Sequence, residues 1–334
     1  MLKNTKITGL GFFVPEKTVT NHDLTKFVNT TDEWIRERSG IEERHLVTDG
    51  KETNLSMAAS ASRRAMEMAD IDAKDIDLIV FATLSPDYQF PGTGALLQHE
   101  LDCKLIGAID VRAQCSGFVY GLSIADQFIK TGMYKTILLV GSEIQSHRMD
   151  YSDHGRHISV LFGDGAGAAV LQATQEEGRG VLSTHLHSQG EFATALGLME
   201  PSYNKKNWIY PGMMDPGGPG QPVMEGQLVF KNAVRRFPQV VMEALEANGL
   251  TIDDLDMLVP HQANLRISQM VQKKLKLRDD QIINNIQKYG NTTAATIPIA
   301  LCEGVQDGRI SEGDLVCLAT FGSGFTWSSA LIRW

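Results

Sequence analysis

Cysteine is scarce, with four in 334 residues (Cys103, Cys115, Cys302 and Cys317). None pairs as CxxC and no His/Cys spacing suits a metal. A disulfide scaffold and a structural zinc site are therefore excluded, no metal is expected, and a reduced, cytoplasmic compartment is. No apolar run reaches the roughly 18 residues that a membrane helix needs. The opening Met-Leu-Lys-Asn-Thr-Lys-Ile-Thr-Gly lacks the apolar core of a signal peptide, so none is expected. Positive charge is in deficit, 31 Lys and Arg against 40 Asp and Glu, for a net charge of −9. That argues against nucleic-acid or anionic-membrane binding, although a local basic patch remains open. Low-complexity sequence is missing apart from a Pro/Gly-rich patch at 211–222. What is present is an ordinary globular composition, 43% hydrophobic and 21% charged, long enough for two domains or one large α/β unit.

Taken in order, the chain alternates strand and helix signals. Residues 5–12 read as a strand, Thr20-Asn-His-Asp23 as a helix start, and Thr31–Arg38 as a short helix closing at Gly40. Ser56–Ala69 reads as a helix and Ile76–Ala82 as a strand. A helix follows Phe90-Pro-Gly-Thr-Gly. Leu105–Ile109 reads as a buried strand, and Thr136–Val140 as another. This alternation is the signature of layered α/β architecture with parallel pairing. Gly163-Asp-Gly-Ala-Gly167 leads into a strand, not a helix, so it is not a dinucleotide-binding loop.

The plan repeats. Ala65-Met-Glu67, Ile71 and Asp75–Val80 find counterparts 179 residues on, in Ala244-Leu-Glu246, Leu250 and Asp254–Val259. Cys115, its helix and Gly132 match Asn291, a helix and Gly308 at a spacing of 176. The expectation is two fused α/β halves, residues 1–174 with the cysteine and 175–334 with His261 and Asn291. Residues 175–230 should connect them, with a surface excursion where Gly and Pro collect.

Chemistry concentrates at three strand ends. Cys115 lies between the apolar Leu105–Ile109 and a helix bearing Phe118, Leu122, Ala125 and Ile129 at helical spacing. A helix start gathers unpaired N–H groups and positive dipole, which should lower the thiol pKa and favour the nucleophilic thiolate. A buried structural cysteine is the alternative. His261, in Val-Pro-His-Gln-Ala-Asn, follows the strand Leu255–Val259; it reads either as a catalyst or as a satisfied structural histidine. Asn291 can cap a helix, with or without an inward-facing amide. Phe321-Gly-Ser323-Gly-Phe325 can bind an oxyanion through its N–H groups or simply turn the chain. Ligands of open α/β sheets collect beyond such strand ends.

Together, Gln-Cys115-Ser-Gly-Phe, Val-Pro-His261-Gln-Ala-Asn264-Leu-Arg266, Tyr-Gly-Asn291-Thr-Thr and the C-terminal Phe321-Gly-Ser-Gly-Phe-Thr-Trp resemble the β-ketoacyl-[acyl carrier protein] synthase III family of the thiolase superfamily. Thr31-Asp-Glu-Trp34-Ile and Leu161-Phe-Gly-Asp-Gly-Ala-Gly also match, so the likeness spans nearly the whole chain. It implies a thiolase-like fold, two duplicated α/β halves in a five-layered α-β-α-β-α sandwich. It also implies decarboxylative Claisen condensation of a short acyl-CoA with malonyl-acyl carrier protein, with acyl-CoA as substrate and no cofactor. Cys115 would carry the acyl group as a thioester. His261, neutral, and Asn291 would donate hydrogen bonds to the enolate left by decarboxylation. The N–H groups of Cys115 and Ser323 would form the oxyanion hole.

The resemblance further places Trp34, Arg38, Arg156 and Asn264 along the CoA path. It places Phe90, Phe162 and Phe321 at the acyl pocket, with Phe90 reaching across a homodimer interface. Lys231, Arg266, Lys273 and Lys274 would face an acidic carrier protein, with a merely solvated helix face as the alternative for Lys273 and Lys274. The aromatic at 90 argues for a short primer. Two features depart from the family: the glycine-rich loop reads Gly322-Ser323-Gly324, and the stretch 197–222 is long. A degradative thiolase would want a second cysteine where Ser323 stands, and a non-decarboxylating condensing enzyme would want a carboxylate base. A specialised condensing enzyme using a longer or unusual acyl-CoA, a silent acyl-binding partner subunit and a Cys–His hydrolase complete the alternatives.

Overall fold

The structure, a computed structural model, describes residues 4–48, 50–199 and 220–334. One sheet has five strands in the order Asn4–Phe13, Gly165–Thr174, Thr136–Glu143, Leu78–Ala82 and Gly107–Val111. The other has four, Gly180–Ser188, Thr326–Arg333, Leu315–Gly322 and Met257–Pro260. A single parallel bridge from Leu258 to Ile282 stands where the second sheet would carry its fifth strand.

Alternation along the central strands shows why the sheets stack. Leu78 and Val80 face one side of the first sheet and Ile79 and Phe81 the other; Val316 and Leu318 divide from Leu315, Cys317 and Ala319 in the second. The inner faces meet in one core built around the helices Gly117–Lys130 and Thr296–Gln306. The outer faces are covered by Asn54–Ala69 and Thr93–Glu100 on one side, and by Gly226–Glu246 and Leu265–Leu275 on the other. Both faces of each sheet are therefore buried, which gives five layers of the thiolase fold. Phe118, Leu122, Ala125 and Ile129 are fully buried in the middle layer, as a helix apolar nearly all round requires.

The two halves repeat in detail. The backbone carbonyls of Asp72 and Thr251 accept the N–H groups of Asp75 and Asp254 at the start of a 3-10 turn, and the strands beginning at Leu78 and Met257 follow. Gln114 and Thr293 are both non-glycine residues in the left-handed region, at φ 47° and 48°, each opening the turn before a middle-layer helix. These pairs are all 179 apart, so the counterpart of Cys115 is Ala294 and not Asn291. The spacing of 176 arises beyond that turn. The second middle-layer helix has 11 residues against 14, and the loop after it returns them before the strands at Thr136 and Leu315.

Two expectations about strands change. Pairing is mixed: the Leu78–Ala82 strand is parallel to both neighbours, but Gly165–Thr174 is antiparallel to both of its own. The residues at 105–109 do not form an inner strand. The strand runs Gly107–Val111, is only half-buried and forms the sheet edge, and Leu105 before it is fully exposed. The segment expected to connect the halves contributes Gly180–Ser188 to the second sheet. Most of the long 197–222 stretch lies outside the described residues. Among the described residues, no helix is long and apolar enough to cross a membrane.

Candidate active site

Cys115 sits in the 3-10 turn Gln114–Ser116 that runs directly into the helix Gly117–Lys130. Ser116 accepts hydrogen bonds from Thr320 Oγ1 at 3.0 Å and Thr326 Oγ1 at 3.1 Å, which fasten this turn to two strands of the other half. Gly322 passes so close that a Cβ there would lie 2.8 Å from the Cys115 Cβ. The backbone N–H groups of Cys115 and Ser323 both favour the sulfur anion. Burial outweighs them and pushes the thiol up to about 12. The helix start therefore does not give the resting protein the low thiol pKa expected from sequence. Deprotonation needs a base.

His261 follows the strand Met257–Pro260, and its N–H donates to Ala319 O at 2.8 Å on the parallel neighbour. Its Nδ1 lies 2.6 Å from Thr296 Oγ1; its Nε2 is buried without a partner. Burial pushes the imidazole down to about 3, so the ring is neutral. Asn291 is held by its backbone, donating to Leu161 O at 2.8 Å and accepting from Gly163 N at 3.2 Å. Its Oδ1 accepts the Thr293 N–H at 2.9 Å. A backbone N–H only donates, so the amide orientation is fixed and Nδ2 is left as a donor.

Cys115, His261 and Asn291 all line one cavity of about 880 Å³. Phe162, Phe321 and Ser323 line it too, as do Trp34, Arg38 and Asn264 towards its mouth. Trp34 is half-buried between two guanidinium groups, with Arg38 Cζ 4.6 Å and Arg156 Cζ 5.3 Å from its ring centroid. Asn264 caps the helix Leu265–Leu275 and donates to Arg38 O at 2.8 Å, joining the two walls of the mouth.

Some expected residues stand elsewhere. Phe90, in the loop before the helix Thr93–Glu100, is 80% exposed and does not line the cavity of its own chain. Arg156 reaches the site only through Trp34 and donates to Asn29 O at 2.7 Å. Lys231, Arg266, Lys273 and Lys274 are exposed on the two packed outer helices Gly226–Glu246 and Leu265–Leu275, and Arg266 Cζ lies 6.0 Å from the ring of Phe230, a cavity residue.

Two carboxylates and one thiol remain as candidates. Asp87 lines the cavity, but its oxygens accept the Asn54 and Leu55 N–H groups at 2.9 Å each. Glu143 is buried, and burial pushes it up to about 7. Its oxygens accept from Ser85 Oγ at 2.6 Å, Leu84 N at 3.1 Å and Thr83 Oγ1 at 3.2 Å, and it does not line the cavity. Cys317 is buried within the strand Leu315–Gly322 and lies outside the cavity as well.

Sequence comparison agrees with this geometry. The model of the 3-oxoacyl-[acyl-carrier-protein] synthase III family matches residues 109–190, and that of its C-terminal part matches 245–334. A β-ketoacyl-[acyl-carrier-protein] synthase III of Thioalkalivibrio sulfidiphilus is 47% identical over 328 residues, covering 98% of each chain. The chain belongs to the β-ketoacyl-[acyl carrier protein] synthase III family. Members are acyltransferases of the condensing type. The solved 3-oxoacyl-[acyl-carrier-protein] synthase III of Aquifex aeolicus superposes with a TM-score of 0.90 at 39% identity, covering 99% of this chain and 100% of that one. The priming β-ketosynthase of the R1128 polyketide pathway superposes at 0.91 with 32% identity, covering 99% and 96%. Xanthomonas campestris OleA, at 19% identity, shares the fold alone.

Sequence reasoning missed several residues that build the synthase III site. Thr296 on His261, Gln114 and Thr293 in the left-handed region, and Phe230 on the wall were not singled out. Only the position of Thr296 at the start of a middle-layer helix, facing the strand end of His261, could have signalled its role.

Proposed function

We propose that the chain condenses a short acyl-CoA with malonyl-acyl carrier protein, giving a 3-oxoacyl-acyl carrier protein, CO2 and CoA. The observation that carries this reading is one cavity joining a nucleophilic sulfur, a bare imidazole nitrogen and an oriented carboxamide below a mouth suited to CoA. Cys115 takes the acyl group from CoA, with its own N–H and that of Ser323 around the developing oxyanion. The thioester keeps the carbonyl electrophilic. The malonyl arm then enters, loses CO2, and places enolate charge where His261 and Asn291 converge. Each donor would contribute on the order of 3 kcal/mol to that charge.

The planar Trp34 and the forked Arg38 and Arg156 suit an adenine nucleotide, and the exposed Lys231, Arg266, Lys273 and Lys274 suit an acidic carrier protein. We also propose a homodimer, working in the cytoplasm, in which Phe90 closes the partner's acyl pocket. The reaction as written needs no cofactor. A non-decarboxylating enzyme is disfavoured because Glu143 has its oxygens turned to Thr83, Leu84 and Ser85, and Asp87 on the cavity wall has its own turned to the Asn54 and Leu55 N–H groups.

The test is a panel of acyl-CoAs followed by intact-protein mass spectrometry. One short acyl adduct is expected on wild type and none on Cys115→Ala; an equal adduct on both would end this reading. His261→Ala and Asn291→Ala should acylate measurably yet fail to release CO2 from a malonyl thioester.

A further inference from the structure

The hydroxyl of Thr296 has one hydrogen and two neighbours. It donates to Thr293 O at 2.9 Å and lies 2.6 Å from Nδ1 of His261. Thr293 O also takes the Thr296 N–H, and its second lone pair receives the hydroxyl. With its hydrogen committed to a carbonyl, Thr296 Oγ1 can meet Nδ1 only as an acceptor. Nδ1 must then carry the ring hydrogen, and the neutral ring has its lone pair on Nε2. That nitrogen is buried and has no partner, on a ring that lines the cavity. Buried polar atoms are nearly always paired, so a bare Nε2 points to a ligand or to a proton arriving from the reaction.

We infer that Thr296 is a positioning residue that fixes the Nδ1–H tautomer of His261 and thereby makes Nε2 the proton acceptor of Cys115. The inference rests on the condensing reaction proposed above and adds the path of its proton. The Nε2 lone pair takes the Sγ–H proton. A bond forms from Sγ to the acyl carbonyl carbon, the bond from that carbon to CoA sulfur breaks, and CoA leaves as a thiolate that water protonates. The imidazolium now has hydrogen on both nitrogens, and Nδ1–H still rests on Thr296. When the malonyl carboxylate leaves as CO2, its C–C electron pair becomes the enolate, and the new Nε2–H donates to the enolate oxygen. The enolate carbon bonds to the acyl carbon, the bond to Sγ breaks, and the sulfur takes its proton back from Nε2. One proton thus serves both halves of the cycle. In place of a neutral donor, the ring donates only after it has accepted, when negative charge in the pocket offsets the cost of a buried imidazolium. Burial holds the empty ring neutral, as the first step needs.

The experiment compares wild type with Thr296→Val, which keeps the shape and removes the acceptor, and Thr296→Ser, which restores it. In 15N-histidine spectra of the resting protein, with His261→Ala assigning the signal, wild type and Thr296→Ser should show Nδ1–H and a bare Nε2. Thr296→Val should lose that preference, and its rate of acyl transfer from acyl-CoA should fall about tenfold, the effect of one buried hydrogen bond. Thr296→Ser should stay close to wild type in both. An Nε2–H ring in resting wild type, or a Thr296→Val protein with unchanged spectrum and acylation, overturns the inference. If Thr296→Val is unchanged while His261→Ala cannot decarboxylate, only the role of Thr296 falls. If His261→Ala is itself fully active, the proposed function falls with it.

Discussion

At the scale of single residues, burial decides the chemistry. The reading of Cys115 as a helix-start thiol located the nucleophile but not its protonation state. The dipole and two N–H groups are visible as a pattern, whereas enclosure by the second half depends on strands some 200 positions away in sequence. The same enclosure makes a measurable prediction for His261. Its folded pKa of about 3 lies below its ordinary 6.5, so on acidification the unfolded chain binds a proton before the folded one does. Stability from this group is full above the ordinary value and is lost as pH falls towards the folded one. Between pH 7 and pH 5 the loss is about 2 kcal/mol. Glu143 acts with the opposite sign: its folded pKa of about 7 stands above its ordinary 4.5, so its burial is least costly in acid. The two are separated by difference. Urea titrations of wild type and His261→Ala at both pH values should show the gap between them narrowing in acid. A gap independent of pH would mean that the ring is not held neutral.

At the scale of elements, helices with marked ends were legible. Thr31 and Gly40 bracket Asp32–Ser39 as their residue types demand, Gly40 taking φ 79°. Strand direction was not legible, because alternation of apolar residues is the same for parallel and antiparallel neighbours. The edge strand was misread for a related reason: a short apolar run looks buried whether its neighbour is another strand, solvent or a second subunit. The C-terminal strand pair carries a sharper constraint. Gly322 lies on Leu315–Gly322 where the strand crosses the nucleophile turn, and a Cβ would come within 2.8 Å of one side chain and 3.3 Å of the Cys115 N–H nitrogen. Gly322→Ala should therefore displace the sulfur from its oxyanion donors. Acyl-enzyme formation is expected to fall about a hundredfold, while overpacking destabilises the fold by only about 1–3 kcal/mol. Rapid-quench mass spectrometry and a thermal melt check the two halves of this statement. Normal acylation would show that the strand yields without cost.

At the scale of the whole molecule, the duplication explains why a cysteine from one half meets a histidine and an asparagine from the other. Each half supplies the turn before a middle-layer helix, and the halves face each other across that layer. Spacing alone revealed the repeat but paired Cys115 with Asn291, because a three-residue exchange between helix and loop is invisible without coordinates. The edge of the five-stranded sheet extends the logic to a second copy. Gly107–Val111 offers unpaired backbone groups, with Leu105 fully exposed before it; Phe90 and Tyr88, at 80% and 60% exposure, lie in the loop before the helix whose Thr93 and Gly94 N–H groups bond to Asp110 of this strand. An exposed apolar edge of this kind is an association site unless something covers it. In the homodimer proposed above, a second copy pairing there would continue the sheet, and Phe90, which does not reach the cavity of its own chain, would close its neighbour's. Leu105→Asp combined with Phe90→Asp should then shift sedimentation from dimer to monomer and reduce condensation at least about tenfold through loss of the shared pocket wall. Phe90→Thr alone should keep the dimer and admit longer acyl-CoAs, read as heavier adducts on Cys115. A wild-type monomer in sedimentation would remove the interface. A Phe90→Thr dimer with an unaltered chain-length profile would keep the interface and take the gate away from Phe90.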